Sequence, residues 1–76
     1  MNTLEQIVAA VLELPEHEVD DGTGAATTAH WTSLRHLRII AAVGREFGVP
    51  ITPRQARSCR SVGDLRRLLV DHGRPA

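Results

Sequence analysis

Seventy-six residues make one expected domain, 1–76, with no room for a second, near the size at which a chain of ~60 residues buries only about 60% of its unfolded surface. A preorganised pocket of roughly 300 Å³ or more is hard to enclose in so short a chain, which disfavours a conventional enzyme and favours a binding or carrier module. Net charge is zero, but residues 1–30 hold six acids and no Lys or Arg, while residues 31–76 hold nine Arg against three acids, or about −6 and +6. That polarity argues against a nucleic-acid binder with a basic excess over its whole length and for oriented protein docking.

The first element is a helix over 4–14. Thr3 and Gln6 have the spacing of a capping box, Leu4, Ile7, Val8, Val11 and Leu12 fall on one helical face, and Pro15 stops the run. Residues 16–30, with their acids, Gly22, Gly24 and the small polar run Ala25 to Ala29, bury too little apolar surface to order themselves and read as a long loop. Loops beyond about 12 residues in a compact domain are uncommon; this one is either functional or a solvated connector.

A second helix begins at Thr32 or Ser33. Its expected core face is Leu34, Leu37, Ile40, Ala41, Gly44 and Phe47, with Gly48 as the left-handed residue after its end. Thr52, Pro53 and Gln55 repeat the grammar of cap, first-turn proline and box partner, giving a short third helix over 53–58. Ser61 and Asp64 open a fourth helix with Val62, Leu65, Leu68 and Leu69 inward, ending before Gly73. No segment alternates as a strand does. The fold class is therefore all-α, a four-helix bundle with a long first loop and a short third helix.

Cys59, the single cysteine, excludes an internal disulfide and reads as a small packed residue, and a cytoplasmic location is expected. The apolar run Ile7 to Leu12 is too short to span a bilayer, and neither a leader nor a membrane association is expected. The four histidines share no metal-ligand spacing and read as surface residues; no metal is expected.

The residues with chemical promise are Trp31, Thr32, Ser33 and Leu34, where loop turns into helix. A helix N-terminus offers unpaired N–H groups and a partial positive charge, so a phosphate attached to Ser33 would be stabilised there. A serine at a helix start is also simply a cap. No Ser-His-Asp spacing surrounds it, and no catalytic residue is expected. On the helix face expected to be exposed lie Arg35, Arg38, Ile39, Ala42, Arg45 and Glu46, with Ile39 a candidate docking contact or a lone surface apolar residue. Trp31 reads either as a packing anchor or as a recognition element.

The segment WTSLRHLRIIAAVGREFGVPITPRQA, from Trp31 to Ala56, resembles the second-helix region of acyl carrier proteins, with their Asp-Ser-Leu motif, amphipathic helix and proline-containing approach to a short third helix. SVGDLRRLL, from Ser61 to Leu69, is similar to the family's last helix, and the likeness runs from Leu4 to Leu69. The resemblance implies a 4′-phosphopantetheine arm, derived from coenzyme A, on Ser33. Leu34 matches the residue after the modified serine, and Trp31 the tryptophan of many carriers in polyketide and related specialised pathways, antibiotic biosynthesis among them. It implies that Trp31, Thr32, Leu34, Arg35, Arg38, Ile39 and Ala42 meet partners: a phosphopantetheinyl transferase, an acyl- or aminoacyl-loading enzyme, and downstream synthases or transferases. Thr32 stands where the family generally has Asp, and the arginine-rich face, usually acidic in the family, calls for acidic patches on those partners. A monomer is expected. The alternatives are an unmodified carrier-like interaction scaffold and a small helical DNA-binding module.

Overall fold

The computed structural model describes residues 3–74, and the outer ends of the expected 1–76 domain lie outside them. Among the described residues are four α-helices: α1 (Leu4–Leu12), α2 (Ser33–Phe47), α3 (Pro53–Ser58) and α4 (Val62–Asp71), with a single 3-10 turn at Glu16–Glu18. α1 lies against both α2 and α4. Leu4, Ile7, Val8 and Leu12 of α1, Ile39, Val43 and Phe47 of α2, and Val62, Leu65 and Leu69 of α4 form one core, closed by Val19, Val49 and Cys59 from the connections.

Local chemistry explains the helix ends. The Thr3 hydroxyl accepts from the Gln6 amide at 3.1 Å while the Gln6 side chain accepts from the Thr3 amide at 2.8 Å, satisfying two donors that no helical carbonyl can reach. The same reciprocal pair, Thr52 and Gln55, opens α3 with Pro53 in its first turn, and Ser61 caps α4 through the Asp64 amide. α2 ends at Gly48, whose φ of 65° is a left-handed conformation that glycine adopts without strain.

α1 stops two residues earlier than its apolar pattern suggests. Leu14 precedes Pro15, and the proline ring pushes its predecessor out of the helical region. The chain turns one residue sooner still, at Glu13, held left-handed at φ 58°, with the Leu14 amide donating to the Ala9 carbonyl at 3.0 Å.

The first loop is ordered, contrary to the expectation from its composition. It is held by hydrogen bonds more than by burial. The Asp20 carboxylate accepts from the Gly22 amide and the Thr23 hydroxyl accepts from the Asp20 amide, while Thr27 ties the Gly22 and Gly24 backbone together. A short antiparallel contact then joins Gly24 to Ser61. Ala25 donates to the Arg60 carbonyl at 3.1 Å, Val62 to Thr23 at 2.9 Å and Gly63 to Asp21 at 2.9 Å. Counting apolar residues misses such order, because its partners are backbone groups 35 or more positions away.

The acidic first half and the arginine-rich second half interleave. Arg66 pairs with Glu5 at 2.6 Å and with Asp21 at 3.0 Å, and Arg35 with Glu13 at 2.8 Å. Partly exposed pairs of this kind contribute about 0.2–1 kcal/mol each; their larger effect is to cancel much of the polarity seen along the chain.

Candidate functional site

α2 sits in a rotation different from the expected one. Its buried stripe is Ile39, Val43 and Phe47, at i, i+4 and i+8. Leu34 and Leu37, expected in the core, are 59% and 63% exposed, and Ala41 is exposed as well. Ile39, expected as a docking contact, is fully buried, and Ala42 packs partly buried against the core. The exposed face is thus Leu34, Leu37, Arg38, Ala41 and Arg45. The helix carries two apolar stripes, and the wheel alone does not say which one α1 covers.

At the head of this helix the division of labour is clear. Thr32 is the N-cap: its hydroxyl accepts from the Arg35 amide at 3.3 Å, and its carbonyl accepts from His36 at 2.8 Å. Ser33 is the first helical residue, exposed, and its hydroxyl makes no hydrogen bond among the described residues. The other two serines are occupied, Ser58 donating to the Gln55 carbonyl and Ser61 capping α4. The amides of Ser33 and Leu34 belong to the first turn, which has no carbonyl of its own to receive them. A hydroxyl beside unpaired N–H groups at the positive end of a four-turn helix suits an attached phosphodiester.

Two braces hold the turn that presents Ser33. On one side the Arg35 guanidinium donates to the His30 carbonyl at 3.1 Å and to the Glu13 carboxylate at 2.8 Å, tying the residues before Ser33 to the end of α1. Arg35 is therefore half-buried and engaged within the fold, a correction to its expected place on a docking face. On the other side the Trp31 indole N–H donates to His36 Nδ1 at 3.0 Å, and His36 Nε2 lies 2.7 Å from the Ala56 carbonyl. Nδ1 can accept only when it carries no proton, so Nε2 bears the hydrogen and donates to Ala56. His36 is thus a structural link between α2 and α3, not the surface residue expected, and Trp31, 5% exposed, is a packing residue. The spacing Trp31 to His36, five residues across a helix start, carried no signal that the two rings meet.

Beside Ser33 opens a cleft of about 400 Å³ between α2 and α3, walled by Trp31, His36 and Leu37 and edged by Arg57 and Arg60. Cys59 is buried, and burial together with the nearby Asp64 charge pushes its thiol above the usual range. Among the described residues no cluster of three His, Cys, Asp or Glu could hold a metal ion, and no helix is long and apolar enough to cross a membrane.

A family model described as phosphopantetheine attachment site matches residues 2–69. No curated protein matches the chain.

Proposed function

The chain belongs to the phosphopantetheine-attachment family, whose members are non-catalytic carriers of a covalent 4′-phosphopantetheine, and from that premise we propose that Ser33 is the residue that bears the arm. The observation that carries this assignment is the split between neighbours: Thr32 caps α2, which leaves the Ser33 hydroxyl exposed and unbonded. The first-turn amides of Ser33 and Leu34 would receive the phosphodiester, and the two braces would keep its point of attachment fixed. Once attached, the arm supplies a terminal thiol on which an acyl, aminoacyl or polyketide group is held as a thioester. Residues 1–76 act as one monomeric, cytoplasmic carrier domain in a biosynthetic pathway of the polyketide or related specialised type, antibiotic biosynthesis included.

Intact mass tests this directly. Incubation with coenzyme A and a broad phosphopantetheinyl transferase is expected to add the mass of one phosphopantetheine group to the wild type and none to Ser33→Ala. A wild type that gains nothing, or a gain that persists in Ser33→Ala, would overturn the assignment.

Carriers of this family work with a phosphopantetheinyl transferase and with biosynthetic enzymes. The partners of this chain dock on the exposed α2 face, where Leu34 and Leu37 offer apolar contact and Arg38 and Arg45 offer charge. Arg38 has no ion pair within the described residues, unlike Arg35. Partners with acidic patches fit such a surface, and neutral Thr32 in place of the family's aspartate fits the same polarity. Arg38→Glu is expected to slow transfer to a cognate loading enzyme several-fold at low salt, with the deficit shrinking as salt rises. Equal rates at low salt would remove Arg38 from the docking surface. Arg35→Glu is unsuitable for this purpose, since it sets a second carboxylate against Glu13.

A further inference from the structure

The cleft beside Ser33 has a polarity that the attachment of the arm does not use. Trp31 and Leu37 supply an apolar wall, and Arg57 and Arg60 stand at its edge. Among the described residues no Asp or Glu lines it. Neither guanidinium makes a hydrogen bond or ion pair within the described residues, whereas Arg35 and Arg66 both do. His36, although in the wall, has both ring nitrogens engaged, so the arginines are the open charged donors of the cleft.

We propose that this cleft receives the free carboxylate of an acyl group carried on the arm, with the acyl chain along Trp31 and Leu37 and the carboxylate between Arg57 and Arg60. The proposal rests on Ser33 as the attachment residue. An apolar wall with a cationic edge matches an acyl chain that is apolar along its length and anionic at its end. The phosphodiester is the other anion at hand, but it has the first-turn amides of Ser33 and Leu34 for partners, which leaves the arginines at the edge of the cleft for a second anion. A guanidinium also suits a carboxylate geometrically, since its donors match the two oxygens. Contacts at exposed arginines are weak, yet a tethered group is present at an effective concentration on the order of 1 mM. A contact with a Kd of about 1 mM is then half-occupied.

The test uses the full chain loaded on Ser33 from two coenzyme A thioesters of equal carbon number, hexanoyl and adipoyl, which differ in a terminal carboxylate. Loading is verified by intact mass; a chain that takes up neither group overturns the attachment assignment and this proposal with it. With both loaded, the adipoyl thioester is expected to be cleaved by hydroxylamine about two- to tenfold more slowly than the hexanoyl thioester. The emission of Trp31, the only tryptophan, is expected to shift in the adipoyl form alone. Both differences should vanish in Arg57→Gln/Arg60→Gln, in which two exposed, unbonded side chains are changed, and should diminish in high salt. Equal cleavage of the two thioesters would overturn the proposal, as would protection of the adipoyl group that survives the double substitution. A Trp31 shift already present in the unacylated form and abolished by the same substitutions would assign the arginines to the phosphodiester instead, and would overturn it too.

Discussion

Ile39→Ala is expected to lower the folding stability by about 2–5 kcal/mol while leaving the exposed face of α2, the proposed docking surface, intact. Ile39 is fully buried in the middle of α2, on the stripe with Val43 and Phe47. Removing three carbons there forfeits their transfer energy and leaves a cavity that the neighbouring helices only partly close. A domain of 76 residues has a total stability of roughly 4–11 kcal/mol at 0.05–0.15 kcal/mol per residue, so the loss is a large fraction of the whole. Urea unfolding followed by circular dichroism reads it as a fall in midpoint. The contrasting substitution is Leu37→Ala. Leu37 is 63% exposed, and its truncation is expected to stay within about 0.5 kcal/mol while weakening productive encounter with a partner enzyme. A stable Ile39→Ala together with an unstable Leu37→Ala would reverse the orientation of α2.

Gly24→Ala is expected to destabilise by about 1–3 kcal/mol, the range for forcing extra atoms into a filled site. The reason is a close approach of two backbones. A Cβ on Gly24 would fall well inside contact distance of the Arg60 carbonyl oxygen and 3.0 Å from the Ser61 Cα. Neither atom is the end of a flexible side chain that could swing away. The loop would have to lift off the start of α4, stretching the bonds from Ala25 to Arg60 and from Val62 to Thr23. Two readouts follow: a lower midpoint, and faster hydrogen exchange at the Ala25, Val62 and Gly63 amides than at the core of α1. Because this loop leads into Trp31, Thr32 and Ser33, the phosphopantetheinylation rate should fall as well. Unchanged stability and exchange would mean that the Gly24 to Ser61 contact does not hold the loop.

These two substitutions also mark where sequence reasoning succeeds and where it stops. Helix starts are written in local grammar, and Thr3 with Gln6, Thr52 with Gln55, and Ser61 each cap the helix they precede. A cap bonds to an amide three residues away, so its signal lies within one turn of chain. The glycine stop at Gly48 is legible for the same reason.

The facing of α2 is not local. Leu34 and Leu37 mark one side of it, Ile39, Val43 and Phe47 another, and only the packing of α1 and α4 selects the second for burial. The docking residues expected from the first choice were accordingly mixed. Leu34 and Arg38 lie exposed on the helix, Thr32 is exposed as its cap, Arg35 is half-buried in a brace, and Ile39 and Trp31 belong to the core. The braces follow the same logic: Arg35 finds Glu13 across 22 positions, and His36 finds the Ala56 carbonyl across 20.

By itself, then, the sequence determined the helical class, the number and starts of the helices, and the family resemblance that singles out Ser33, because each is encoded in periodicity and in contacts within a turn. The tertiary structure decided which face of α2 meets the core, that the glycine-containing loop is pinned to α4, and that the Ser33 hydroxyl is left unbonded beside a cleft edged by Arg57 and Arg60. Those outcomes depend on groups far apart in the chain, whose meeting is settled by packing and long-range hydrogen bonds rather than by local propensity.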